Sequence, residues 1–386
     1  MLSGRDILCF ANDWAADPLS KKQVMLRLAH RNRILWVNSL HNRKPRFAKK
    51  DVRRVMQKLR EFVRGTNPVH ANIWQITPLY LPSLKYGWIR RLNRFLLRSQ
   101  ILYAMRRVKF RKIVTWTFSP TSADVVGTLG EELIIYHCVD EYSSFSDAAF
   151  QEVEVAEQLL LKKADLVLAS STPLLEKKRP FNACTYLALH GVDYQHFHQA
   201  VEESTHVAGE LQGLPRPILG FHGLLADWVD LQLIVEIARK RSDWSIVLVG
   251  RADTDLTMFQ KLSNVIVVGH RSYSQLPTYL KGFDVALLPF VQNELTRNAN
   301  PLKLREYLAA GLPVVATPLP EVIRFDGAVS LAATADEYIR KIEEILALGL
   351  AGPSPERSNG VIHESWEVKV AEMEELVCVA LSSKQK

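Results

Sequence analysis

The chain has 386 residues, of which 47% are hydrophobic and 23% charged, with a formal net charge of +8. That composition excludes a disordered or fibrous chain, and the length suits two domains of ordinary size. The charge is lopsided: residues 1–112 carry 26 Lys and Arg against 5 Asp and Glu, net +21, while the rest carries 23 against 36, net −13.

Asp6–Ala11 reads as a short apolar strand, Leu19–Ala29 as a helix and Arg33–Asn38 (RILWVN) as a second strand, a β-α-β start. Strands are expected at Ile73–Thr77, Lys112–Thr117, Leu133–Cys138, Leu166–Ser170 and Thr185–Leu187, with helices between several of them. Phe197–Pro215 is polar and aperiodic, ends in Gly213 and Pro215, and reads as a linker. A second series follows. PILGFHG, SIVLVG and NVIVVGH are strands that each end in Gly, DVALLPF and PVVAT are further strands, and Asp230–Lys240 and Ser274–Lys281 are helical. These near-continuous apolar runs are what a parallel sheet covered on both faces requires. Ser365–Leu381 is a last helix, with Trp366, Val370, Met373, Leu376 and Val377 on its apolar face.

The expected fold is α/β: two Rossmann-like parallel-sheet domains, at 1–200 and 215–362, and a helix at 363–386 that returns to the first domain. Ligands of such domains bind at the carboxyl edge of the strands, here an interdomain cleft. Neither domain opens on GxGxxG, and no Walker A sequence is present. No apolar run approaches the ~20 residues of a membrane span. The start, MLSGRDILCFANDW, has too short an apolar run for a signal peptide and reaches Asp13 at once, so a cytoplasmic protein is expected. Cys9, Cys138, Cys184 and Cys378 are scattered without zinc spacing, which implies reduced thiols, the first two buried in strands.

The stretch NANPLKLREYLAAGLPVVATPLP concentrates the chemistry. Asn300 suits an N-cap and Pro301 the first helical position, while Gly311 and Pro313 end the helix. Lys303, Glu306 and Tyr307, at i, i+3 and i+4, share one face, and Leu304 and Leu308 form another. The helix opens on the carboxyl edge of the sheet, where free N–H groups and a positive dipole end suit phosphate. Lys303 adds charge one turn in and Arg297 adds more. Glu306 is of the wrong sign for phosphate and suits sugar hydroxyls. A surface i,i+3 ion pair between Lys303 and Glu306 is the alternative.

Four stretches resemble family 4 of the retaining glycosyltransferases, within the two-domain GT-B fold, and most of all the bacterial enzymes of teichuronic acid and other cell-surface polysaccharides. They are HGVDYQHF (His190–Phe197), FHGLLADWVDLQLI (Phe221–Ile234), NVIVVGHRSYSQLPTYLKGFDVALLPF (Asn264–Phe290) and NPLKLREYLAAGLPVVAT (Asn300–Thr317). The resemblance covers the C-terminal half well and the N-terminal half in outline. It implies a nucleotide-diphosphate sugar donor, with Glu306 on its ribose, Leu302 and Lys303 at the diphosphate, and His270, Arg271 and Tyr273 at the base; Asn300, at the helix start, counts among the donor-binding residues. Gly223 belongs to the turn that opens the donor domain. Asn298 stands where the family often has a second Glu. No Lys or Arg lies at Trp228–Asp230, where the family grips the diphosphate, and Arg251 is the expected substitute. AND (Ala11–Asp13) replaces the family's glycine-rich loop.

The implied chemistry is front-face transfer with retention, in which the departing diphosphate needs charge stabilisation more than a protein nucleophile. Neither metal nor cofactor is expected, and the DTD triplet (Asp253–Asp255) reads as a solvated loop. On the acceptor side, YHCVDEYSSF (Tyr136–Phe145) leaves a buried strand and turns polar at once, so His137 and Asp140 are the candidates to position or deprotonate an acceptor hydroxyl. A hydrogen-bonded strand-end His and a capping Asp are the alternative. Asn12 and Asp13 occupy a similar edge, and Lys21 and Lys22 flank a helix start.

Arg43–Arg64 and Leu84–Lys112 mix Arg and Lys with Trp88, Ile89, Leu92, Phe95, Leu96 and Ile101, a basic amphipathic pattern suited to an anionic membrane. Nucleic acid would need the same charge, but no motif for it is present. The expected protein is therefore a cytoplasmic glycosyltransferase, peripheral on the inner face of the cell membrane, acting on a glycan or lipid-linked acceptor. A non-catalytic GT-B scaffold and a sugar-nucleotide epimerase are the alternatives.

Overall fold

The structure is a computed structural model that describes residues 1–16, 18–38, 60, 62, 65–81, 87–141 and 150–384. It divides into two compact units, Met1–Leu189 with Lys369–Lys386, and His190–Val368. The basic segment Arg43–Arg64 lies almost wholly outside the described residues, as do the last residues of YHCVDEYSSF.

The first unit contains, in chain order, β1 (Asp6–Phe10), α1 (Ser20–Leu28), β2 (Arg33–Val37), β3 (Asn67–His70), β4 (Ile73–Ile76), α2 (Gly87–Arg107), β5 (Ile113–Thr117), β6 (Leu133–Cys138), α3 (Phe150–Lys163), β7 (Leu166–Ala169), α4 (Thr172–Lys178) and β8 (Thr185–Leu187). The strands form one sheet in the order β3-β4-β2-β1-β5-β6-β7-β8. Pairing is parallel except between β3 and β4. β1 is central, with Phe10 registered against Val37 on one side and Thr117 on the other. Its residues are all buried because helices cover both faces. Leu97, Ile101, Ala104 and Met105 of α2 and Leu160 and Leu161 of α3 pack with Leu8, Phe10 and Tyr136. The sequence pattern missed β3, whose NPVH is half polar and carries Pro68. Proline is tolerated there because β3 is an edge strand.

The second unit contains α5 (Tyr194–His198), β9 (Ile218–His222), α6 (Leu231–Lys240), β10 (Ser245–Val249), β11 (Val265–Gly269), α7 (Leu276–Leu280), β12 (Val285–Leu288), α8 (Glu294–Asn298), α9 (Leu302–Ala309), β13 (Val314–Ala316), α10 (Pro320–Ile323), β14 (Ser330–Leu331), α11 (Ala335–Ala347) and α12 (Pro355–Asn359). Its sheet is parallel, in the order β11-β10-β9-β12-β13-β14. The chain winds outward from β9 to β11, then crosses back to β12 and winds the other way. The β9/β12 boundary is thus a topological switch point, where open α/β sheets bind ligands at the carboxyl ends of their strands.

The division between units falls at Leu189/His190, earlier than the expected end of the first domain at residue 200. Phe197–Pro215 is accordingly no free linker. Phe197, Ala200 and Leu211 are buried in the second core, a few apolar anchors in an otherwise polar stretch too irregular to show periodicity. The last helix, α13 (Trp366–Lys384), begins in the second unit and continues in the first. Within the first unit, Lys384 Nζ lies 2.5 Å from Asp165 Oδ2.

Candidate functional site

β9 ends in His222 and turns at Gly223, β10 turns at Gly250, and α9 starts beyond β12. Gly223 has φ +133° and Gly250 φ +152°, values side chains rarely adopt. Space makes the same demand. A Cβ on Gly250 would sit 1.8 Å from the Gly223 carbonyl oxygen, and one on Gly223 would sit 1.7 Å from Cε of Lys303 and 2.6 Å from its Nζ. The glycines thus let two strand ends close up and leave a trough in which the Lys303 side chain lies. Leu225 N donates to the Arg251 carbonyl at 2.9 Å and brings the Arg251 loop alongside.

Asn300 does not cap α9 as expected. The N-cap position is Pro301, without a side-chain bond, and Asn300 Oδ1 instead accepts from Arg305 Nη1 at 2.5 Å. Nor do all the charges of α9 lie on one side. Arg305, 1% exposed, points into the unit, donates from Nε to Glu364 Oε2 at 2.7 Å and lies 4.9 Å from the Phe325 ring centroid. This buried ion pair holds the start of α9 against the 3-10 turn Ile362–Glu364.

Lys303 and Glu306 point away from Arg305 and make no ion pair with each other. Lys303 follows the Gly223 trough and has no carboxylate partner among the described residues. Burial lowers its pKa, with Glu306 acting in the opposite direction. Glu306 Oε2 lies 3.2 Å from Nε2 of buried His222, out of hydrogen-bonding alignment. Burial pushes the Glu306 carboxyl up to about 7, Lys303 pulls it down and Asp193 adds to the rise. His222 is depressed to about 3, first by burial and then by Lys303, so its imidazole is neutral at pH 7. Tyr307 fixes it: the His222 amide donates to Tyr307 Oη at 2.9 Å, and the two rings meet edge to face at 5.0 Å. A half-buried ammonium, a carboxyl able to change charge near neutrality and a neutral imidazole therefore share the switch point.

Beside them, the Tyr273 ring stacks on His196 at 4.2 Å, and its hydroxyl donates to Asp193 Oδ2 at 3.3 Å. Arg271 is engaged within the unit, with Nη2 2.8 Å from Glu210 Oε1 and Nε 2.7 Å from Tyr279 Oη. His270, Arg251 and Arg297 are exposed, and Leu302 is half-buried at the helix start. Asn298 is buried and its Nδ2 donates to the Glu294 carbonyl at 2.6 Å. In the Asp253–Asp255 triplet, Asp255 accepts from Thr257 N and Oγ1.

In the first unit, His137 is fully buried on β6. Its Nδ1 faces Trp116 Nε1 at 3.4 Å and its ring packs 4.9 Å from Phe118. Its Nε2 has no hydrogen-bond partner among the described residues. Burial lowers its pKa to about 3, and Lys21 adds to this. Burial raises Asp140 to about 6 against the pull of Lys21, and burial lowers Lys21, opposed chiefly by Asp140. Lys21 is thus more than a flank of α1: it shares an electrostatic site with His137 and Asp140. Its only sequence signal was its place in the first turn after β1. His222, Asp193 and His196 were also missed, although they lie inside the quoted stretches.

Two doubly wound α/β units are the architecture of the GT-B fold, and solved structures share it. One is Anabaena Alr3699/HepE, solved in complex with UDP (TM-score 0.63, 13% identity, covering 97% of this chain and 100% of that one). Another is the α,α-trehalose 6-phosphate synthase of Burkholderia multivorans (TM-score 0.66, 10% identity, 99% and 100%). Residues 216–347 match the family described as glycosyl transferases group 1. In sequence the chain is similar to TuaH of Bacillus subtilis (strain 168), a protein named as a teichuronic acid biosynthesis glycosyltransferase by assignment. The identity is 30% over 206 residues, 48% of this chain and 51% of TuaH, so the match spans about half the length of that relative.

Proposed function

We propose that this chain is a glycosyltransferase that moves a sugar from a nucleotide-diphosphate sugar to a glycan or lipid-linked acceptor in cell-surface polysaccharide synthesis, with retention. The observation that carries the reading is Lys303: a half-buried cation, unpaired among the described residues, held by a glycine trough at the switch point of the second sheet. Such a cation at a helix start suits a diphosphate. Glu306, one turn on, would accept hydrogen bonds from the ribose hydroxyls. Tyr273, with His270 and Arg271, would flank the base, and Arg251 and Arg297 would add charge at the diphosphate. HepE has been solved with UDP and with UDP-glucose, and an Escherichia coli structural neighbour with UDP-2-fluoro glucose, which supports a nucleotide-sugar donor. The relation to TuaH supports polysaccharide synthesis.

In this reading the acceptor oxygen forms its bond to the anomeric carbon on the face from which the diphosphate leaves with its electron pair. Lys303 and the amides of α9 stabilise that charge without a metal. Asp140, raised toward neutrality, would take the hydroxyl proton, and His137, kept neutral, would orient the hydroxyl. A peripheral position on the cytoplasmic face of the membrane belongs to this reading, and α2 supports the membrane contact. Trp88, Leu92 and Phe95 are 64%, 39% and 67% exposed at helical spacing, between Arg91, Arg94 and Arg98. No helix among the described residues is long and apolar enough to cross a membrane.

The test is a thermal-shift panel of UDP- and GDP-sugars, followed by donor hydrolysis. One donor should stabilise the protein, and Lys303→Ala and Glu306→Ala should each abolish the shift. Stabilisation by none would sink the reading. Asn298 favours a second one, a non-catalytic scaffold, because it stands where a carboxylate was expected and serves the local backbone. Donor binding with neither transfer nor hydrolysis would select it.

A further inference from the structure

We propose a second ligand site in the first unit, a pocket for a soluble anion with two or more phosphate or carboxylate groups, at the sheet edge opposite His137 and Asp140. The amino ends of β1, β2 and β5 meet there around a cavity of about 500 Å³ lined by Arg5, Asp6, Arg31, Arg33, Arg111 and Lys112, among others. The volume lies within the ~300–1,000 Å³ of small-molecule sites.

Asp6 is the one carboxylate in the lining, and it is used up. Oδ1 accepts from Arg33 Nε at 2.8 Å, and Oδ2 accepts from the amides of Arg111 and Lys112 at 2.6 and 3.3 Å. Arg33 is held further by the carbonyls of Val108 and Lys109, and Arg5 pairs with Glu132. Asn32 is saturated as well, accepting from Arg5 N and donating to the carbonyls of Leu2 and Leu28. The floor is therefore rigid and internally satisfied. Arg31, Arg111 and Lys112 at the rim are exposed and have no carboxylate partner among the described residues.

Three cations brought to one concavity from positions 31 and 111–112, without matching acids, create a positive field that a multivalent anion would neutralise. The lining holds no apolar side chain, so the pocket suits a hydrated ligand rather than a bilayer, which favours apolar and aromatic contacts. The proposal is independent of the reading of the second unit.

The full chain carrying Lys303→Ala, which silences the candidate diphosphate site, is titrated calorimetrically at low salt with tripolyphosphate and separately with trigalacturonic acid. One equivalent of at least one ligand should bind. Affinity should fall as salt is added and drop at least tenfold in Arg31→Glu/Arg111→Glu, whose exposed substitutions should leave the melting temperature unchanged. Binding of tripolyphosphate alone makes it a phosphate site, and binding of the acidic sugar makes it a site for an anionic glycan; both support the proposal. No binding of either ligand, or unchanged affinity in the charge-reversed variant, would overturn it.

Discussion

Lys303 lies so close over Gly223 that a single methyl group on the glycine would fall 1.7 Å from the lysine Cε. The turn after β9 and the first turn of α9 are therefore one device, in which the missing side chain at Gly223 is the space that the ammonium stem fills. Gly223→Ala should displace Lys303 and strain a backbone at φ +133°. We expect a stability loss of about 1–3 kcal/mol and at least a tenfold weakening of donor, read by denaturation and calorimetry. Unchanged donor affinity would detach Lys303 from the site.

Glu306 makes stability depend on pH. Its carboxyl is raised from 4.5 to about 7 in the folded protein. The folded state thus holds the proton more tightly, and the contribution is fully present below pH 4.5 and lost as pH rises through 7. The shift corresponds to about 3 kcal/mol between those limits. Melting curves of wild type and Glu306→Gln across pH 4.5–8 should differ by that slope, with the variant gaining relative stability toward pH 8. Parallel curves would show that the Glu306 carboxyl is not raised.

Arg305 and Glu364 are both buried, and removing one leaves the other charge uncompensated. Arg305→Ala should cost about 3–5 kcal/mol and loosen the start of α9, whereas Arg305→Met with Glu364→Gln should recover most of it. Urea denaturation of the two variants checks this. A mild Arg305→Ala would mean that the pair does not anchor the helix.

Lys21 holds the Asp140 carboxyl below the value that burial alone would set. If Asp140 takes the acceptor proton, Lys21→Met should move the acid limb of the pH–rate profile upward from about 6. An unmoved limb with lower activity would assign Lys21 to structure and another group to the proton.

Trp88 and Phe95 are exposed aromatics between arginines on α2. Flotation with phosphatidylglycerol liposomes should recover the wild type and lose the Trp88→Ser/Phe95→Ser double variant. Equal flotation of both would remove α2 from membrane contact.

The sheet strands were legible in the sequence because both faces are covered, which makes strands such as LIIYHC and SIVLV continuous apolar runs. The edge strand β3 carries no such signal, and the anchors Phe197 and Leu211 were lost in a polar stretch. Lys303 and Glu306 could be chosen as site candidates because they sit three residues apart on a short helix whose end is marked by Gly311 and Pro313.

What the sequence by itself determined is therefore local or periodic: two α/β series, a helix opening on a strand edge, and a cation and a carboxyl on one face of it. Only the tertiary structure decided where those charges go. Lys303 turns to Gly223, 80 positions earlier in the chain; Glu306 turns to His222; Arg305 turns inward to Glu364; and Lys21 pulls down the carboxyl that burial raises at Asp140. The basic rim around Asp6 likewise exists only once three strand ends meet. Periodicity reports which face a residue occupies. A residue's partner, and with it the desolvation and field that set its charge, depends on segments that are distant in sequence and adjacent only in the folded chain.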